Sequence, residues 1–362
     1  IMAYTTIDDP TAYFQNKIYS GTGNSLALTF DGNSNMQPDW VWFKRRDGSA
    51  NHHAYDSVRG VTKAFVPNDS DAETGGSQEG TLYFSSFDSN GFTLAGNNYN
   101  NSNKSGQTYA SWSWKAGTSF TNDASSTGIG SVDSSGSVNE TAGFSLCSFT
   151  GTGSVATVKH GLSTVPNVII TKSRANAENW GVLHSGINTD YQTDYLILNT
   201  NGGSGDSAEY YNDTAPTSSI FTVGTADATN DDANMMAYIF SERKGYSKFA
   251  NYTGNGNADG AFFYLGFKPA MVMIKNTSAS EHWRIYDNKR DKHNHMYHAI
   301  YGNDNGAEAT TDNASEEIDF LANGVKIRSS AAQLNAQGNV YVYLAFAENP
   351  FVTSTGIPAL AR

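Results

Sequence analysis

The chain has 362 residues, of which 16% are charged, 12% aromatic and 38% apolar, with 35 glycines, 8 prolines and a formal net charge of −12. That balance speaks against a nucleic-acid partner, which needs clustered lysine and arginine, and against charge-driven disorder or long exposed helices. The single cysteine, Cys147, excludes an intramolecular disulfide, and no apolar run approaches the roughly 20 residues of a membrane-spanning helix, so no membrane insertion is expected.

Residues 1–14 hold Asp8-Asp9-Pro10 and then Tyr13 and Phe14. This leader is too short to be a domain and reads as a docking segment. No basic stretch leading into an apolar one marks a secretory signal. Tyr19-Ser20-Gly21-Thr22-Gly23 follows, then Pro38 and the strand-like run Trp40-Val41-Trp42-Phe43-Lys44. The same string recurs as Phe149-Thr150-Gly151-Thr152-Gly153, Pro166 and Val168-Ile169-Ile170-Thr171-Lys172. It appears a third time as Tyr252-Thr253-Gly254-Asn255-Gly256, Pro269 and Met271-Val272-Met273-Ile274-Lys275. Copies this far apart are duplicated domains, since solenoid repeats have far shorter periods.

Each copy also closes alike. The first has Asp88-Ser89-Asn90-Gly91-Phe92 and then Tyr109-Ala110-Ser111-Trp112-Ser113-Trp114. The second has Ile220-Phe221-Thr222-Val223 and Met235 through Phe240, and the third has Asn323-Gly324-Val325 and Val340 through Phe346. Asn-Gly pairs supply the positive φ of tight hairpins, so each copy is expected to end in one. The Trp pairs 40/42 and 112/114 alternate along their strands and are expected in a core. In mid-copy stand Tyr55-Asp56-Ser57-Val58-Arg59 and Tyr286-Asp287-Asn288-Lys289-Arg290, with Val182-Leu183-His184 in copy two. An Asp–Arg pair bracing a turn is the expected role.

The predicted fold is all-β: three tandem antiparallel β-sandwich, jelly-roll-like domains at residues 15–120, 141–245 and 246–350. A Ser/Gly-rich linker is expected at 121–140 and a C-terminal tail at 351–362. Tyr13, Phe14, Phe351 and Ile357, on the leader and tail, are expected to need a neighbouring subunit to cover them.

No catalytic constellation stands out, so no catalytic residue and no cofactor is assigned. His293, His295 and His298 are the best metal candidates, but their spacing suits an exposed polar face better and no metal site is predicted. The loops Asn303-Asp304-Asn305-Gly306 and Asp231-Asp232 read as turns. Cys147 reads as a small core residue. Tyr99, Tyr191, Tyr210, Tyr211 and Tyr301 lie among Asn, Asp and Gly, where aromatic platforms beside planar amides grip sugars or other subunits; they are the predicted binding residues.

Pro38-Asp39-Trp40-Val41-Trp42-Phe43-Lys44, Tyr55 to Gly60, Ser86 to Leu94 and Tyr109 to Gly117 together resemble a repeat domain of virion structural proteins of marine tailed bacteriophages. The resemblance covers about 80 residues of the first copy, with copies two and three diverged. It implies a lectin-like, concanavalin- or SPRY-type sandwich and a tail-fibre-like role in host attachment or surface assembly. The implied partners are other virion proteins, further copies of the chain, and a host surface glycan or protein. Assembly in the host cytoplasm is the implied setting. A capsid decoration protein is the runner-up reading, and a tail-associated polysaccharide-degrading enzyme the third.

Overall fold

The computed structural model describes residues 4–74, 77–78, 81–310 and 314–359. It is nearly all β, in antiparallel sheets, as the composition predicts. Each repeat contains one large sheet whose four core strands run in the same spatial order: opening, closing, proline and outer. In repeat one these are Phe14–Ser20, Thr108–Trp114, Trp40–Arg45 and His53–Asp56. In repeat two they are Phe144–Thr150, Asn234–Phe240, Val168–Ser173 and Gly181–His184. In repeat three they are Ser247–Thr253, Val340–Pro350, Phe267–Asn276 and Arg284–Asp287. A smaller sheet lies outside each large one, for example Phe262–Tyr264 with Gly324–Ile327 and Ile318–Leu321 in repeat three.

The shared register fixes equivalent residues. Trp40 pairs with Trp114 and Asp56, Val168 with Phe240 and His184, and Met271 with Phe346 and Asp287. The proline strands are buried on both faces, which is why they read as continuous apolar runs instead of alternating ones. One face of each, carrying residues such as Val41, Ile169 and Val272, packs into the core of its own repeat. The other face, carrying Trp40 and Trp42, Val168 and Ile170, Met271 and Met273, enters one central core built by all three repeats.

At the middle of that core sit Trp114, Phe240 and Phe346, one from each closing strand. Their ring centroids lie 6.4, 5.5 and 5.7 Å apart. The repeats are therefore joined around a common aromatic centre. Residues 121–140, expected as a linker, instead belong to that architecture: Thr118–Asn122 and Ser134–Asn139 pair with each other and extend the large sheet of repeat two. Ser/Gly-rich composition signalled exposure there, but the backbone finds its hydrogen bonds in the sheet edge.

The joints between repeats are cyclic. The outer strand of each repeat meets the closing strand of the next: Tyr238 Oη donates to Asp56 at 2.7 Å, Trp112 Nε1 to Asp287 at 3.0 Å, and His184 Nε2 to the carbonyl of Tyr343 at 3.1 Å. Residue 344, equivalent to Trp112 and Tyr238, is a leucine with no donor, and the facing residue is His184 instead of a carboxylate. Four residues before Asp56, His184 and Asp287 stand His52, Trp180 and Trp283. Each aims a ring nitrogen at backbone carbonyls of a neighbouring repeat: Tyr301 and Asp304, Val66 and Asp69, and Ile197 respectively. Ion pairs follow the same sense, Arg46 to Glu308 and Arg174 to Glu73, each with bonds of 2.8 Å.

Within repeats one and three the predicted Asp–Arg brace is present: Asp56 and Asp287 each accept from the backbone and Nε of Arg59 and Arg290. These pairs are fully buried, so their worth lies in specifying the turn and receiving the neighbour's donor more than in net stability.

Gly21, Gly151 and Gly254 occupy the same position in their repeats, as the duplication requires. A side chain at Gly151 would come within 2.0 Å of the carbonyl oxygen of Asp231, and equivalent backbone carbonyls block Gly21 and Gly254. The turn is clamped by a buried asparagine in each copy. Asn103, Asn230 and Asn335 accept the amide of Thr22, Thr152 and Asn255 at 2.9 Å each, and their Nδ2 groups donate to surrounding carbonyls. Replacing Asn230 by alanine strands the part-buried Thr152 amide and the carbonyls of Ser154 and Gly224, the last of them buried, so the expected loss is about 1–3 kcal/mol in all. Chemical denaturation of Asn230→Ala with a midpoint equal to that of the parent would show the clamp to be dispensable.

Candidate functional site

The predicted binding tyrosines do not converge. Tyr211 is buried, 1% exposed, in the core of repeat two, because the short helix Ala208–Tyr211 turns it inward; it is not a surface platform. Tyr210 is half-buried and stacked on Tyr195 at 3.6 Å, and Tyr191 packs against core residues nearby. Tyr99 stacks on Tyr83 at 3.6 Å in repeat one and its hydroxyl meets His53. Tyr301 stacks on His282 and donates to Glu316 in repeat three. Each is paired within its own repeat, so no shared platform forms from them.

The leader and tail, expected to need a neighbouring subunit, fold onto the chain itself. Phe14 is 2% exposed and stacks on Phe346 at 5.1 Å, which makes it part of the central core. Tyr13 packs edge-on against Tyr246, and Phe351 against Tyr4. Tyr4 donates to the carbonyl of Gly266, Thr5 to that of Lys244, and Asp8 accepts from the Ser354 amide at 2.6 Å. Leader and tail are thus covered by each other and by the chain's own third repeat, and no neighbouring subunit is needed to order them. Ile357 alone of the four remains outward, at 64% exposure.

The histidine cluster divides: His295 bonds Asp319 and His298 bonds Asp291, each on its own carboxylate. Among the described residues no group of three His, Cys, Asp or Glu side chains converges as metal ligands would. Asp304 accepts from the Gly306 amide, which is turn bonding, whereas Asp231 accepts from Ser173 and Asn176 and so ties its loop to the end of the proline strand of repeat two. Cys147 is buried, and burial pushes its thiol up to about 12, which keeps it protonated and unreactive. Lys44, Lys172 and Lys275, the lysines that end the proline strands, are buried with their ammonium groups on backbone carbonyls. Burial draws each down to about 8.

Two surface features were not anticipated from the sequence. The first is an aromatic ridge. Phe262 and Tyr264 alternate on the edge strand of the small sheet in repeat three, both 46% exposed. Tyr4 of the leader meets Tyr264 through the two hydroxyls, and Lys248 lies over the Tyr264 ring at 5.7 Å. The alternation was present in Phe262-Phe263-Tyr264, but which face would be covered depends on which sheet packs on it. The second feature is a polar cleft of about 240 Å³ between repeats one and three, bordered by the start of the opening strand of repeat one and by Asn288 and Glu348.

The fold and its surface define a class: an all-β protein of three equivalent repeats around a shared core, with an outward aromatic edge strand and an inter-repeat polar cleft. The chain belongs to the DUF7483 family, a domain of unknown function whose pattern matches residues 9–350, and so runs through all three repeats as one unit. No curated protein and no solved structure matches the chain. No described helix is long and apolar enough to cross a membrane.

Proposed function

We propose that this chain is a structural protein of a bacteriophage virion, a tail-fibre-like component that acts in surface assembly or host attachment by binding instead of by catalysis. The observation that carries the reading is the exposed ridge of Phe262 and Tyr264, flanked by the leader and by Lys248. Solvent-facing aromatics on a sheet edge are the residues and the place where β proteins meet partners, and hot spots are enriched in them. The resemblance of the first repeat to phage structural repeats supports the same reading. The interlocked joints support it further, since a rigid body loses little conformational entropy on being held in a particle.

The test is a phage carrying Phe262→Ser and Tyr264→Ser. Loss of two hot spots of about 2 kcal/mol each should remove most of the protein from particles or abolish adsorption. The isolated variant should melt as the parent does, since neither ring is in a core. Full occupancy with normal adsorption would reject the ridge as the contact. The runner-up reading, capsid decoration, draws on the cyclic arrangement of the three repeats, since a body of three equivalent parts suits a threefold position better than a general one. Fragile capsids with normal adsorption, on removal of the protein, would select it over the fibre.

A further inference from the structure

We propose that the cleft between the first and third repeats is a binding site for a neutral polyhydroxyl ligand about the size of one sugar ring. The inference deepens the attachment reading by giving it a ligand class, but it stands on the chemistry of the cleft. Asn16, 5% exposed on the opening strand of repeat one, donates from Nδ2 to the Ala270 carbonyl at 3.3 Å and to Asn288 Oδ1 at 2.9 Å. Asn288 in turn donates to Glu348 at 2.8 Å. This chain of bonds fixes the amide planes across the repeat junction and leaves Asn16 Oδ1, at the cleft wall, without a partner among the described residues. Asn33 and Asn349 also border the cleft, and their side-chain amides bond none of the described residues.

The charges exclude other ligand classes. Asp31 is held between Lys17 at 3.2 Å and Lys289 at 2.8 Å, and Glu348 faces Lys268 at 3.3 Å. An anion entering the cleft meets both carboxylates, and a cation must compete with lysines already seated on them. A neutral ligand breaks neither pair. Hydroxyls both donate and accept, so they satisfy amide oxygen and amide nitrogen alike, whereas an apolar ligand would leave Asn16, Asn33 and Asn349 unpaired. The space is below the range of about 300–1,000 Å³ that accommodates drug-sized molecules, which sets the size at a single ring. Preformed, mutually bonded amides also reduce the ordering cost of binding.

The experiment is saturation-transfer NMR and calorimetry on the full chain, with glucose, galactose, mannose, N-acetylglucosamine and, as an anionic comparison, N-acetylneuraminic acid. At least one neutral sugar should bind, and the Asn33→Ala/Asn349→Ala variant should bind it at least ten-fold more weakly. Neither side-chain amide bonds another described residue and alanine keeps the backbone pairing of residue 349 with Lys268, so the variant should melt as the parent does. No saturation transfer from any neutral sugar, or equal affinity in the variant, overturns the site; tighter binding of N-acetylneuraminic acid overturns the assignment to neutral ligands. Because these measurements use isolated protein, their failure is distinct from failure of the virion reading, which the ridge variant decides.

Discussion

Trp114→Ala should destabilise the chain by about 3–5 kcal/mol, the usual cost of removing a large aromatic side chain from a packed core. Trp114 is 2% exposed and stacks on Trp40 at 4.4 Å. It also contacts Phe14, Phe240 and Phe346, so the cavity opens where all three repeats meet. Little can collapse into it, because the surrounding strands are tied to one another by the cyclic joints. Trp114→Phe is the informative companion. It reproduces the residue found at the equivalent positions 240 and 346, and it deletes an indole N–H that has no hydrogen-bond partner. Its cost should be a fraction of that of alanine. Denaturant midpoints of the two variants check this; an alanine variant within 1 kcal/mol of the parent would mean that the aromatic centre does not hold the repeats together.

Acidification from pH 6.5 toward pH 4 should remove several kcal/mol of stability. Burial holds His53, His160 and His184 down to about 4 and His52 well below the ordinary value of 6.5. Geometry gives the same answer for three of them. Nδ1 of His52, His160 and His184 accepts an N–H from Trp42, Leu162 and Gly186, while Nε2 donates to backbone carbonyls. That arrangement admits only the neutral ring, because a proton on Nδ1 would face another N–H. Between pH 6.5 and 4 the unfolded chain binds protons that the folded chain refuses, so stability falls as pH falls through that window. Each such histidine contributes up to about 1.4 kcal/mol per pH unit. The measurement is urea denaturation from pH 7 to pH 5, above most carboxylate titration, with His184→Gln as the comparison, since glutamine keeps a donor toward Tyr343. A flat profile, or one unchanged by His184→Gln, would contradict it.

These two results bear on the proposed function through the same feature. His52 and His184 lie at joints between repeats, and Trp114 lies where the joints converge, so both perturbations act on the body that presents the ridge and the cleft. A weakened body would reduce binding at either surface without touching a contact residue. Binding assays on ridge and cleft variants therefore belong with a melting curve for each.

Legible in the order of residues alone were the all-β class, the three copies and most of their start and end marks. Those features rest on local chemistry: Gly-x-Gly turns that tolerate no side chain, hairpins beside Asn-Gly in copies one and three, and apolar runs long enough for one buried strand; copy two, which lacks Asn-Gly, pairs Ile220–Val223 with Ala156–Lys159 and has no closing hairpin. Also legible there were the burial of the four tryptophans in repeat one and the Asp–Arg brace, since both follow from spacing within a strand or a turn. How the copies meet was set by long-range packing. Phe14 and Phe346 lie more than 300 residues apart in the chain yet stack in one core, and no local pattern records such a contact. The two ends of the apparent linker at 121–140 became strands, around a short helix at Ala124–Thr127, because an open edge of repeat two was there to pair with them. Tyr211 turned inward and Phe262 outward for the same reason: an aromatic's exposure is set by what packs on its face, and here the packing partner comes from a distant part of the chain.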